Sequence, residues 1–312
     1  MDGGLAHPRA RGDGSGEVPL PIPQEAETTC GTRIEPGKSY GFFTDVTLCI
    51  GCKACEVACK EWNNLPADGV ALTGHSYDNT GALGAHTWRH VTFVEKLSDP
   101  PKKAGGCGGG ASGRATVMPP FQSDWLMASD VCKHCDPAPC LEACPTGAIF
   151  RTEFDTVVVQ QDICNGCAYC VPACPFGVVE IAPEDGKAHK CTLCYDRLKG
   201  GMEPACSKAC PTNSIQFGVV EELVERAERR VEDLHAAGQE RAYLYGAPDT
   251  PGATNGLKRL NAFFLFTERP EVLGLPAAPA RPAPRGGRSL LGGLATVAGL
   301  VAAALALGVG RR

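Results

Sequence analysis

The sequence predicts an α+β body made of two halves of short strands and single helical turns, followed by a C-terminal helix long enough to span a membrane. Three observations carry this. Eighteen of 312 residues are cysteine, and sixteen of them fall into four groups of four. Aromatic residues make only 6% of the chain, against 38 glycines and 25 prolines, so few long helices and a thin apolar core are expected, with metal coordination supplying what hydrophobic burial does not. The last stretch before the terminal arginines, residues 289–310, contains no charge.

Composition also excludes. Cysteine at about 6% falls short of the roughly 8–10% of a short disulfide scaffold. A charged content of 21% and a mean hydropathy of −0.10 exclude a polytopic membrane protein. The net charge is −5, and residues 281–312 hold five arginines and no acid, which leaves residues 1–280 at −10. An acidic body without a cluster of Lys and Arg argues against nucleic acid as a partner.

The chain divides as follows. Residues 1–37 read as a disordered arm, with neither an apolar signal core nor a twin-arginine pair. Residues 38–218 carry the cysteine groups, with an insertion over 64–125 that holds one strand, Thr87 to Glu95, and a glycine-rich linker, Lys102 to Arg114. Residues 219–274 form a helix and strand extension. Val220, Leu223, Val224, Ala227, Val231 and Leu234 recur at helical spacing, Gly238 closes the helix, and Arg226, Arg229 and Arg230 are placed on its solvated side. Tyr243 to Tyr245 and Leu260 to Thr267 read as strands. Residues 275–288 are a Pro/Ala/Arg linker before the 289–310 segment.

The cysteine spacing names the chemistry. Cys49, Cys52, Cys55 and Cys59 run C-x2-C-x2-C-x3-C, as do Cys164, Cys167, Cys170 and Cys174. Cys132, Cys135, Cys140 and Cys144 widen one gap to four residues, and Cys191, Cys194, Cys206 and Cys210 widen one to eleven. Three thiolates of a 4Fe–4S cube can come from one tight loop, and in two-cluster ferredoxins the fourth cysteine of each run ligates the other cluster. Gly51 and Gly166 are expected to bring backbone N–H groups up to the sulfurs. Structural zinc uses paired C-x2-C units separated by about 12–20 residues, which only the fourth group resembles. Disulfides find no useful geometry between neighbours two residues apart. Sixteen cysteines therefore predict four 4Fe–4S clusters.

Which groups exchange a ligand is left open by spacing. Groups two and three enclose a hairpin of two strands, Gly147 to Phe150 and Thr156 to Gln160. Groups three and four are close enough to serve as well. Groups one and two are poor neighbours, so if two pairs with three, one pairs with four.

The runs CIGCKACEVACKEWNNLP, CKHCDPAPCLEACPTGAI, CNGCAYCVPACPFGV and KCTLCYDRLKGGMEPACSKACPT closely resemble the iron–sulfur subunit of formate dehydrogenases, within the four-cluster electron-transfer subunits of molybdopterin oxidoreductases. The resemblance covers about residues 38–312. It implies two ferredoxin-like cluster-binding halves and nested ligation: Cys49, Cys52, Cys55 and Cys210 at one cluster; Cys191, Cys194, Cys206 and Cys59 at a second; Cys132, Cys135, Cys140 and Cys174 at a third; Cys164, Cys167, Cys170 and Cys144 at a fourth. All sixteen positions are cysteine here, whereas nitrate reductase beta subunits put tryptophan at one. It also implies a molybdenum or tungsten pterin catalytic subunit that oxidises formate, and a membrane cytochrome b subunit that takes the electrons on to quinone. The cluster domain is expected on the outer face of the cytoplasmic membrane. No acid–base or nucleophile constellation suggests catalysis by this chain itself. The equivalent subunit of a membrane hydrogenase or sulfur-compound reductase is the alternative, and a zinc scaffold the alternative of another class.

The 22-residue tail reaches about 33 Å as a helix. Its six leucines and three valines give roughly −4 kcal/mol of insertion energy, a weak solitary span. Small residues at Gly292, Ala295, Gly299 and Ala303 favour packing on another helix. It is expected to cross the bilayer. Other features stay modest expectations. Gly37-Lys38-Ser39 precedes a strand and is not read as a phosphate loop. Cys30 and Cys107 are free thiols. His86, His90 and His134 are structural, with His134 donating to a sulfur or to solvent. Lys190 is either a cation beside a cluster or a surface lysine, and Asp196 pairs with Arg197.

Overall fold

The computed structural model describes residues 34–67, 74, 77–97, 123–253, 255–281 and 294–303. The chain is a mixed α and β assembly. Strand β1 (Tyr40–Asp45) leads through a 3-10 turn into helix α1 (Ala54–Asn63). Strands β2 (Arg89–Leu97) and β3 (Ser123–Val131) follow, then α2 (Pro139–Glu142), β4 (Ile149–Arg151), β5 (Val157–Val159) and α3 (Cys170–Ala173). Next come β6 (Glu180–Ile181), β7 (Ala188–His189), α4 (Tyr195–Lys199), α5 (Ala205–Lys208) and β8 (Ile215–Val219). Helix α6 (Val220–Ala236), β9 (Tyr243–Tyr245) and β10 (Ala262–Phe266) close the body.

A four-stranded sheet in the order β8-β1-β10-β9 spans the body. β1 pairs antiparallel with β8 and parallel with β10. Every residue of β1 and β10 is buried, because both faces are covered. On one face Phe43, Phe263 and Leu265 pack under Val220, Leu223 and Ala227 of α6. On the other, Tyr40 and Phe42 join the cysteine-rich core. The apolar core is thus thicker than composition suggests, since the few aromatics are concentrated in this sheet: Phe43 stacks on Phe263 with centroids 5.5 Å apart, and Tyr40 on Phe217 at 5.6 Å.

Helix α6 forms where its periodicity places it. Gly238, with φ +85°, donates to His235 O, and Gln239 donates to Leu234 O, which satisfies the last carbonyls. Arg230 departs from expectation. It is not simply solvated: its Nε lies 2.9 Å from Oδ2 of buried Asp45, which also caps the turn after β1. The predicted Thr87 to Glu95 strand starts two residues later, at Arg89, and pairs with β3, a strand the sequence reading did not anticipate. The arm 1–33, the Lys102 to Arg114 linker, Cys30 and Cys107 lie outside the described residues.

The hairpin β4–β5 is tied to the main sheet through its turn. Asp155 accepts from Arg151 at 2.8 Å, from Arg259 at 3.1 Å and from Asn261 at 3.1 Å. Burial pushes its carboxyl up, but the Asn261 hydrogen bond and the Arg151 charge outweigh that and leave it below the usual 3.8. Asp155→Ala is therefore expected to cost about 2 kcal/mol. The lost stabilisation is the part present above the ordinary aspartate value and lost as pH falls through the lower folded value. Denaturant unfolding of both proteins at neutral and acid pH checks this: the gap should narrow on acidification.

Candidate metal centres

Two antiparallel strand pairs aim two pairs of cysteines at each other. In β1–β8 the last partners are Thr44 and Ile215, and five residues outward along each strand lie Cys49 and Cys210. In β4–β5 the terminal partners are Ile149 and Val159, and five residues outward lie Cys144 and Cys164. The helices repeat the same arrangement. α1, carrying Cys55 and Cys59 one turn apart, packs on α5, which carries Cys206; α2, carrying Cys140, packs on α3, which starts at Cys170. Group one therefore meets group four, and group two meets group three.

The thiols form four electrostatic neighbourhoods. Cys49 is raised by burial and by Cys210 and Cys52, against a hydrogen bond from the Gly51 N–H. Cys59 is raised by burial and then by Cys191, Cys206 and Cys194. Cys135 is raised by burial and by Cys132, Cys174 and Cys140. Cys170 is pushed up to about 11 by burial, with Cys164, Cys144 and Cys167 around it. Electrostatic coupling also crosses between neighbourhoods. Cys55, pushed up to about 11 chiefly by burial, feels Cys206. Cys191 feels Cys132 most strongly after burial. Cys140, pushed up to about 12, feels Cys170. As bare thiols most of these groups are held neutral, so only a bound cation that displaces the proton makes them thiolates.

Backbone amides point at several sulfurs: Leu193 N–H at Cys191 (3.3 Å) and Ala188 N–H at Cys164 (3.5 Å). Burial of Cys144 is outweighed by the Thr146 hydroxyl and the N–H groups of Ile149, Thr146 and Ala148, which leave it below its ordinary value. The Gly51 N–H is directed at Cys49, as expected, and both loop glycines have a further reason. Gly51 (φ +65°) and Gly166 (φ +72°) adopt left-handed backbone, and an added Cβ would strike Met127 Sδ at 2.5 Å and Gly186 O at 2.2 Å. They let the loops pack closely against neighbouring hairpins.

Three buried cations stand among the thiols. Lys190, left between two readings by the sequence, is buried and donates to Val157 O and, at 2.9 Å, to Cys191 O. Lys133 is buried against Asp130 and lies over the Phe176 and Phe264 rings. Arg89 donates to Cys206 Sγ at 3.2 Å. Neither Lys133 nor Arg89 stood out in the sequence, though Arg89 shares a strand face with Val91 and Phe93, which is a usable signal of burial. His134 is fully buried, and its Nδ1 accepts from Val157 N–H at 2.9 Å, so the ring is neutral with its proton on Nε2. That Nε2 has no protein partner.

The donors fit sulfur-ligated iron clusters. Cys132, Cys135, Cys140 and Cys174 line one cavity, closed otherwise mainly by Pro139, Val157, Phe176 and Val178. Among the described residues no three Cys, His, Asp or Glu side chains converge as tightly as a single ion requires; zinc would hold its sulfurs under about 4 Å apart. A cube with iron at four corners takes its thiolates at wider spacing, sheltered from water and balanced by buried cations. No disulfide joins the sixteen.

The remaining side chains are structural. His86 pairs with Glu184 and His90 with Asp78, so the two histidines do not share a site. Asp196 accepts from Trp62 Nε1, and Arg197 donates to Glu203 O and stacks on Trp62, in place of the expected pair. Lys38 pairs with Glu35, and a strand follows Gly37-Lys38-Ser39.

Comparison with known proteins agrees with this chemistry. Residues 123–220 match the family described as a 4Fe-4S dicluster domain. The chain is 40% identical over 237 residues to a formate dehydrogenase iron-sulfur subunit of Haemophilus influenzae, covering 75% of this chain and 68% of that protein. It is 39% identical over 237 residues to the nitrate-inducible formate dehydrogenase iron-sulfur subunit of Escherichia coli, covering 75% and 71%. A probable anaerobic dimethyl sulfoxide reductase chain of Escherichia coli is 33% identical over 190 residues, 60% of this chain and 77% of that one.

The Gly166 contact gives a test. Gly166→Ala forces Cβ into Gly186 O and must displace the loop that carries Cys164 and Cys167. Iron is expected to fall by about a quarter, from roughly 16 to 12 per chain, with the fold retained. Iron analysis and circular dichroism of the purified variant decide it; full iron content would mean the loop accommodates the methyl group.

Proposed function

The chain belongs to the iron–sulfur subunits of formate dehydrogenases, electron-transfer subunits carrying four 4Fe–4S clusters beside a catalytic subunit, and from that premise we propose which residues hold each cluster and where the electrons enter and leave. Cys49, Cys52, Cys55 and Cys210 form one ligand set; Cys59, Cys191, Cys194 and Cys206 the second; Cys132, Cys135, Cys140 and Cys174 the third; Cys144, Cys164, Cys167 and Cys170 the fourth. The nested sets make two ferredoxin-like halves, one from the first and last cysteine groups and one from the middle two.

The observation that supports the reading is the electrostatic coupling of thiols between sets: Cys55 with Cys206, Cys191 with Cys132, Cys140 with Cys170. Those three couplings favour a linear order of the sets. Each cluster supplies a one-electron carrier whose potential follows burial and hydrogen bonding. Cys52 and Cys167 are exposed, one in each terminal set, while the two inner sets are largely buried. Electrons therefore enter through one terminal set and leave through the other. One terminus faces the molybdenum or tungsten pterin subunit where formate is oxidised, and the other a membrane cytochrome b that passes electrons to quinone.

The tail belongs to the same proposal. Residues 294–303 are helical with Leu294, Val297, Leu300 and Val301 all exposed. Among the described residues no helix is long and apolar enough to cross a membrane. The uncharged run of 289–310 is the basis for an anchor, which would hold the cluster body on the outer face of the cytoplasmic membrane. A second reading, the same role beside a sulfur-compound reductase, draws on the likeness to the dimethyl sulfoxide reductase chain. The catalytic subunit that co-purifies separates the two.

In the intact complex, formate should reduce all four centres. Cys59→Ser should perturb the paramagnetic signal that also responds to Cys194→Ser, and spare the one that responds to Cys52→Ser. A common effect of Cys59→Ser and Cys52→Ser would favour self-contained loops. No reduction by formate, with reduction by another substrate of the co-purified partner, would remove the formate reading.

Deleting residues 289–312 should release the chain and its catalytic partner from the membrane fraction. All clusters should remain, since no ligand lies beyond Cys210, and formate-dependent dye reduction should survive while quinone reduction collapses. Retention at the membrane with quinone reduction at the original rate would count against the anchor.

A further inference from the structure

Arg89 is among the largest fully buried side chains of the protein, at 1% exposure. Among the described residues its hydrogen bonds go only to sulfur and to one serine. One terminal nitrogen lies 3.2 Å from Cys206 Sγ. The other lies 3.4 Å from Ser129 Oγ and 3.5 Å from Ser129 O. Ser129 Oγ in turn lies 3.3 Å from Cys55 Sγ. The guanidinium carbon sits 4.6 Å from the Phe42 ring centroid, and Nε has no partner.

This is an unusual place for an always-charged group. A guanidinium out of water needs an anion, and a neutral thiol is only a weak acceptor. Of the other two buried cations, Lys133 has Asp130 and Lys190 donates to two backbone carbonyls; Arg89 faces sulfur directly at Cys206 and through Ser129 at Cys55. The missing negative charge is supplied once Cys206 and Cys55 are thiolates of anionic clusters. On the ligand sets proposed above, these two sulfurs belong to different clusters.

We propose that Arg89 is a counter-ion shared by two adjacent clusters, the one held through Cys55 and the one held through Cys206, and that it keeps both easier to reduce, reaching the first through Ser129. A fixed cation between two anions favours the more negative, reduced state of each, and does so strongly where water is excluded. Its place at the junction also means that neither cluster can be tuned through Arg89 independently of the other. Arg89 is a positioning residue here: it acts on the ligands, not on a substrate. The proposal rests on the assignment of Cys55 and Cys206 to separate clusters.

The test is a redox titration of the purified, anaerobic complex followed by electron paramagnetic resonance, with iron content measured in parallel. Arg89→Gln removes the charge. Two of the four signals should move to lower potential, each by about tenfold in the reduction equilibrium, or about 59 mV for one electron, while the other two stay. Arg89→Lys keeps the charge and should recover most of the shift. Ser129→Ala breaks only the arm to Cys55 and should move a single signal, one of the same two. Four intact signals with none moved, with one moved, or with all moved alike by Arg89→Gln would overturn the proposal while leaving the four-cluster assignment standing. If Arg89→Gln fails to load its clusters, Arg89→Lys and Ser129→Ala decide: a single signal moved by Ser129→Ala supports it, and none moved overturns it. Failure of the ligand assignment itself reads differently, in the Cys59, Cys194 and Cys52 variants.

Discussion

Everything in this protein answers to one requirement: sixteen thiols, most of them out of water, must be brought together across a chain whose cysteines come in four short runs. Strand pairing meets it. A ladder that ends at Thr44 and Ile215 delivers Cys49 to Cys210, and one that ends at Ile149 and Val159 delivers Cys144 to Cys164. A slip of one residue in either ladder would shift one cysteine about 3.3 Å past the other. The aromatic sheet then has a plain purpose, since Phe42, Phe43, Phe263 and Phe264 pack the two central strands β1 and β10, and Cys49 follows the end of β1.

Charge follows from the same requirement. A body that gathers anionic groups in its interior must import positive charge, and it does so with three buried side chains rather than with surface basicity. Arg89, Lys133 and Lys190 lie within the cysteine frame while the outside stays acidic overall. Polar backbone helps, through the N–H groups of Leu193, Ala188 and Gly51 directed at sulfur. The neutral His134 ring lines the same cavity as Cys132, Cys135 and Cys140.

Much of this was legible in the sequence where the signal is local. The four cysteine runs, the hairpin between Cys144 and Cys164 and the amphipathic helix α6 all express short-range spacing, and their positions hold to within two or three residues. Long-range pairing was not legible. β3, with the sequence SDWLMASDV, has a single β-branched residue and is held by β2 from within the 64–125 segment. The parallel contact of β1 with β10 joins residues more than two hundred apart, which no periodicity announces. Arg230 looked solvated because helix periodicity cannot see Asp45, a residue from the other end of the body. Buried cations were missed for a related reason: what makes a lysine or arginine tolerable inside is a counter-charge that the amino-acid sequence does not spell out.

The two strand ladders differ in one respect that matters while the protein is being made. β4 and β5 are close in sequence, and all eight cysteines of the middle two groups have been synthesised once residue 174 is added. β1 must instead wait for β8, so Cys49, Cys52, Cys55 and Cys59 stand without their partners until Cys210 appears. Domains form from the N-terminal side as synthesis proceeds, at roughly 5–20 residues per second, but here the first cysteines made belong to the later of these two ladders. The growing chain passes through a stage with both strands of one cysteine-bearing hairpin made and four early thiols still waiting for the strand that faces them.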